Sequence, residues 1–259
     1  MPNTKLTRDK LKNHFQYSKM LYLVVMVTAA LIGNLVFTVT VYRPPNERRI
    51  DIELVGLYAD TELSGARDAK ASLLAAGQDF ERERDASSGA DQEKDYELPL
   101  QEVEFISLQY DPESSSEENY YAAQKFMVML AAQEGDIYVL SRSLMAQLAE
   151  QNTLVPLDDY IASGVIDPGD RQLGRVTFDE VDDDGIATGV QHVYALQAGT
   201  LEGMYQTLNY DPYEKYIAIV AFSRNPDTAA AVVQEMINMF ETAEPTEDAD
   251  SEKTVEAAS

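Results

Sequence analysis

The 259-residue chain has no cysteine, no tryptophan and only two histidines. The missing cysteine excludes disulfides, a thiol nucleophile, cysteine metal sites and a lipid-modified N-terminal cysteine. His14 and His192 leave little material for hydrolytic or redox catalysis, and no Gly-x-Ser-x-Gly, His-Glu-x-x-His or phosphate-loop pattern occurs. Positive charge is also scarce, with 20 Lys and Arg against 45 Asp and Glu.

That scarcity is uneven. Eight basic and two acidic residues precede Asp51, so Asp51 to Ser259 carries 12 basic against 43 acidic residues, a net charge of −31. Such a surface repels nucleic-acid phosphates and anionic lipid, which argues against a nucleic-acid partner. Acidity alone is a solubility device and identifies no cationic ligand.

What is present is a run of 23 uncharged residues, Met20 to Tyr42. At 1.5 Å per residue a helix of this length spans a hydrocarbon core of about 30 Å. Tyr17, Tyr22 and Tyr42 lie near its ends, where amphipathic rings prefer the headgroup level, and Pro44-Pro45 stops the helix. Net charge is +4 before the run and +2 just after it, followed by dense acidity. This bias predicts a cytoplasmic N-terminus and an outer C-terminal domain. A cleaved signal peptide, the competing reading, has an apolar region of about 7–15 residues ending in a small-x-small site. The expected organisation is a basic cytoplasmic segment 1–19, a transmembrane helix 20–42, a linker 43–49, an extracytoplasmic α/β domain 50–243 and a disordered acidic tail 244–259.

Within the domain, Ile50 to Tyr58 and Val103 to Tyr110 read as β-rich strands. Ala66 to Glu83 reads as a helix carrying Leu73, Gly77 and Phe80, and Asp85 to Glu97 as a loop. Ser115-Ser116-Glu117-Glu118 resembles a capping box that opens a helix, whose apolar stripe is expected at Tyr120, Ala123, Met127 and Leu130, flanked by Phe126 and Ala131. Asp136 to Leu140 is a short third strand, and Ser141 caps a helix carrying Leu144, Met145 and Leu148. Val155 to Ile161 fits a short helix, and the chain on to Gln197 a hairpin around Asp182-Asp183-Asp184-Gly185. Tyr216 to Phe222 is a last strand, followed by a helix with Asn225 as cap and Pro226 as first residue. Strand–helix alternation of this kind predicts a three-layer α/β fold with a mostly parallel sheet.

The stretch Gly135 to Ile161, GDIYVLSRSLMAQLAEQNTLVPLDDYI, resembles bacterial extracellular solute-binding proteins of the two-lobed, periplasmic-binding type. The opening strand and Tyr216 to Phe240 fit the same comparison. Thr153 to Asn209 is too short for a full second lobe, so the resemblance implies one lobe, membrane-anchored, with a shortened excursion.

In a parallel sheet, ligands sit beyond the carboxyl ends of the strands. The candidate binding residues are therefore Tyr58 and Asp60, Tyr110 and Asp111, and Ser141 and Arg142. Tyr58 and Tyr110 would offer apolar faces, and Ser141 and Arg142 would hold a polar or anionic group. Glu180 to Gly185 spaces carboxylates as a calcium loop does, but the twelfth position is Gln191 instead of a bidentate Glu, so it reads as a turn. His192 alternates with apolar residues and reads as a packing or surface residue. No catalytic residue, metal or cofactor is expected. The expected partners are the membrane, through residues 20–42, and either a small solute or a membrane or envelope protein. The expected function is non-enzymatic recognition, accessory to transport or sensing; the alternative is envelope scaffolding or assembly through a protein partner.

Overall fold

The computed structural model describes residues 19–40, 44–56, 58–88, 100–169, 175–181 and 187–241. They belong to two compact units that meet in sequence between Arg43 and Pro44. The first unit contains helix α1 (Lys19–Thr40). Its Met20–Phe37 window has a mean hydropathy of 2.3 and is nowhere buried. The helix is long and apolar enough to cross a membrane, or to serve as a signal sequence.

The second unit is an α/β domain. A 3-10 turn at Asn46–Arg48 leads into β1 (Arg49–Val55), followed by α2 (Ser64–Ser88), β2 (Glu102–Leu108) and α3 (Glu117–Ala131). Then come β3 (Ile137–Ser141), α4 (Arg142–Glu150), α5 (Asp158–Ala162), β4 (Arg175–Val181) and β5 (Ala187–Gln197). The described part closes with α6 (Gly203–Leu208), β6 (Lys215–Ile219) and α7 (Pro226–Phe240). The strands form one six-stranded sheet in the order β2-β1-β3-β6-β5-β4.

The expected mostly parallel sheet is corrected to a mixed one. β1 pairs in parallel with β2 and β3, but the β3–β6, β6–β5 and β5–β4 pairings are antiparallel. The reason lies in the connections. No single crossover helix joins β3 to β6; the chain first makes the β4–β5 hairpin, and β5 and β6 are then joined by residues 198–214. A connection with only the six-residue α6 in it returns the chain antiparallel rather than carrying it across to a parallel strand.

Alternation along β1 sets the two faces. Ile50, Ile52 and Leu54 join one core with Ala66, Ala69 and Leu73 of α2, Met204 and Leu208 of α6, and the buried side of α7. Val55 joins the other core with Phe126 and Met129 of α3 and Leu144, Met145 and Leu148 of α4. Helices thus cover both faces, and the central strands are buried on both sides.

Several local expectations shift. α2 continues to Ser88, so residues 85–88 of the expected loop are helical, whereas residues 89–99 lie outside the described set. The cap of α3 is Ser116 rather than Ser115, and its hydroxyl accepts the Asn119 amide at 3.1 Å. The apolar stripe of α3 is rotated: Phe126 and Met129 are buried, while Tyr120 and Met127 are 62% and 57% exposed. Ser141 and Asn225 stand at helix starts as expected, but neither makes a side-chain capping bond. β1 ends at Val55, short of Tyr58, because Gly56 adopts φ +129°, which leaves the strand region. Gly77 marks the close approach of α2 to α7. A Cβ there would lie 2.6 Å from Leu100 Cδ2 and 3.3 Å from Thr228 Cγ2. The expected acidic tail and the Asp182–Gly185 tip lie outside the described residues.

Candidate functional site

The carboxyl ends of β1, β2, β3 and β5 share one end of the sheet with the start of β6. Val55 is opposite Leu108, Ser141 opposite Lys215, and Gln197 opposite Tyr216. β1 leads to α2 on one face, and β3 leads to α4 on the other. Adjacent parallel strands whose connections leave on opposite faces open a crevice between them, the usual ligand position in an open α/β sheet.

Here that crevice is filled from within. Tyr210 is fully buried, and its hydroxyl donates to Val55 O at 3.0 Å and lies 3.4 Å from Val139 O. Burial, and secondarily Asp211, pushes its phenol well above the ordinary tyrosine range, so it stays a donor. Beside it the Lys215 ammonium lies against Gly56, where an added Cβ would sit 2.8 Å from Nζ.

The six residues expected from sequence lie along this end without converging on one point. Tyr58 is 53% exposed on the rim. The Asp60 amide donates to Leu208 O, and its Oδ1 accepts the Glu62 amide, so the carboxylate serves a local turn. Tyr110 packs on Phe126 with ring centroids 5.4 Å apart. Asp111 is held by Asn119, whose Oδ1 accepts its amide at 2.8 Å, and its own Oδ1 accepts the Glu113 amide. The Ser141 and Ser143 hydroxyls are 3.1 Å apart, and Arg142 is exposed at the start of α4.

What the sequence reading missed is the segment between β5 and β6. There Glu202, Tyr205, Gln206, Asp211, Pro212 and Tyr213, with Gly199, line an open groove of about 310 Å³. Tyr205 is 61% and Tyr213 69% exposed. Asp211 accepts the Tyr213 amide at 2.9 Å, which fixes the loop. Together with Tyr58, Tyr120 and Tyr121, these are the domain's large exposed aromatic side chains among the described residues, and all five occupy this one end. The available signal was tyrosine density, with four tyrosines between Tyr205 and Tyr216 interleaved with acids.

A second polar feature lies toward the opposite end. Glu53 is fully buried among Asp51, Asp136 and Tyr138, and neither of its carboxylate oxygens has a hydrogen-bond partner. Burial and the nearby Asp51, Glu134 and Asp136, opposed by Lys125, push its pKa up to about 8. Asp136 is better satisfied: Oδ2 accepts the Asp51 amide at 3.0 Å and Oδ1 the Ser223 hydroxyl at 2.6 Å. Arg49 pairs with Asp51 at 2.5 Å. Burial still raises the pKa of both aspartates. No group of side chains suited to a metal ion occurs among the described residues.

His192 Nδ1 sits 3.1 Å from Asp158 Oδ2, the oxygen that also accepts the Val193 amide at 3.1 Å. The arrangement fastens α5 to β5. In comparisons with known proteins, the chain matches no family model and no curated protein.

Proposed function

We propose that the chain is a single-pass membrane protein, with its N-terminus in the cytoplasm, that presents the α/β domain outside as a non-enzymatic recognition module accessory to transport or sensing. The observation that carries this reading is the unburied apolar helix α1. A core helix of a soluble protein is mostly covered, whereas this one leaves its whole Met20–Phe37 window uncovered, which supports a helix that sits in lipid. The +4 against +2 flanking charge supports the orientation.

The alternative partner class, an envelope or membrane protein in place of a solute, is favoured by a specific observation. The crevice where a solute would lodge contains the Tyr210 phenol, while the exposed tyrosines stand open around it. Enclosed ligand sites cover most of their ligand; open, tyrosine-rich surfaces suit macromolecular contacts.

The test is protease treatment of intact cells that carry the full chain tagged at both ends. Loss of the C-terminal tag with retention of the N-terminal one is expected. The opposite pattern overturns the orientation, and recovery of the chain in the soluble fraction overturns the anchor.

A further inference from the structure

Two exposed aromatic rings and two carboxylates line the groove between α6 and the start of β6, and no basic residue lines it. We propose that the groove of Tyr205, Tyr213, Glu202 and Asp211 is a cation-binding site that takes a lysine or arginine side chain presented by a protein partner. This inference rests on the recognition reading and specifies its site and ligand class.

The chemistry follows from the lining. A ring face attracts a cation through its quadrupole, and an adjacent carboxylate adds direct Coulomb attraction. The nearest basic side chain at this end of β6, Lys215, extends against Gly56. Asp211 Oδ1 accepts the Tyr213 amide, a local turn that carries both side chains at the groove. The net charge of −31 beyond Ile50 adds long-range attraction for a basic partner, but every acidic surface offers that. The two exposed rings that line the groove supply the selectivity.

The rim indicates a protein source for the cation. Further exposed rings stand at the same end of the sheet: Tyr58 after β1, and Tyr120 and Tyr121 at the start of α3 after β2, the latter two packed edge to face with centroids 5.9 Å apart. From β2 to β5 the sheet order places four strand spacings, about 15–20 Å. That is the scale of a peptide or protein contact. The groove itself is too open to enclose a free small cation, because Tyr205 and Tyr213 are mostly in solvent. Tyrosine on one side and arginine on the other is a pairing enriched at protein interfaces.

The experiment uses the full chain in phosphatidylcholine nanodiscs, whose zwitterionic lipid does not itself capture cations. Fluorescence anisotropy follows a labelled peptide of alternating arginine and glycine, with a citrulline peptide as neutral isostere. The arginine peptide is expected to bind at low salt, to weaken as salt rises, and to exceed the citrulline peptide by at least tenfold. Tyr205→Ala with Tyr213→Ala should weaken binding about tenfold. Both rings are exposed, so the core is untouched, and Tyr205→Phe with Tyr213→Phe should restore binding. Glu202→Gln with Asp211→Asn should weaken binding and reduce its salt dependence. Glu150→Gln with Glu83→Gln removes the same charge at the far ends of α4 and α2 and should change binding less than twofold.

Equal losses in the two charge-neutralised proteins would show bulk polyelectrolyte attraction and overturn the proposal. So would unchanged binding in the tyrosine-to-alanine protein. Displacement of the peptide by tetramethylammonium at an affinity equal to the peptide's own would make this a small-cation site and overturn the protein partner. The protease test of orientation is independent of all these outcomes. Peptide binding by a domain found in the cytoplasm would retain the groove and remove the outer location, and the reverse result would do the opposite.

Discussion

The Tyr210 hydroxyl donates to the carbonyl of Val55 at 3.0 Å, joining residues 155 positions apart at the end of the two central parallel strands. The residue that follows β5 and α6 thereby closes the gap that the β1–α2 and β3–α4 connections open. A crevice built by topology is converted into core.

Tyr210→Phe should cost about 1–2 kcal/mol, because the ring keeps its packing while Val55 O loses a buried donor. Denaturant unfolding of the wild-type and variant chains measures it. An unchanged midpoint would mean that water replaces the hydroxyl and that the crevice is open.

Glu53 predicts an inverted pH dependence of stability. Its pKa of about 8 in the folded protein lies above its ordinary value of 4.5. The associated stability is fully present below about pH 4.5 and is lost as pH rises through 8, at no more than about 1.4 kcal/mol per pH unit. Asp51 and Asp136 shift in the same direction and deepen the loss. Glu53→Gln should flatten the decline between pH 5 and 9 in unfolding midpoints. Parallel pH profiles for the two proteins would rule the explanation out.

Asp158 and His192 should prove unequal. His192→Ala removes one partly exposed partner and should cost less than about 1 kcal/mol. Asp158→Ala also strips the Val193 amide of its acceptor and should cost about 1–2 kcal/mol. Thermal melting of both variants decides the order, and the reverse order would contradict the proposed fastening of α5 to β5.

Gly77→Ala sets helix propensity against packing. Alanine gains about 1 kcal/mol in a helix interior, but its methyl would meet Leu100 and Thr228, both buried. Overpacking of about 1–3 kcal/mol outweighs the gain, so the melting temperature should fall. A rise would show that α2 and α7 can move apart at little cost.

Much of the fold was legible because its signals are local. The uncharged run at Met20, the β-rich Ile50–Val55 strand, the stripe of α4 and the Pro226 start of α7 each declare themselves within one element. α3 was misread because it carries two apolar stripes, Tyr120 with Met127 and Phe126 with Met129, and periodicity cannot tell which meets the sheet. The candidate site was legible only as a place. The expected residues lie along one end of the sheet with Tyr58 on the rim, but Asp60 and Asp111 serve turns. Tyr205 and Tyr213 escaped notice because their segment looked like a connection.

By itself, the sequence determined the apolar span, the acidic charge of the domain and most of its strands and helices, since length, charge and periodicity act along the chain. Tertiary structure alone decided the direction of β6, the buried face of α3, the filling of the β1–β3 crevice by Tyr210 and the assembly of the tyrosine groove. Each of those depends on which distant surfaces meet, and that is set by packing and hydrogen-bond satisfaction across the sheet.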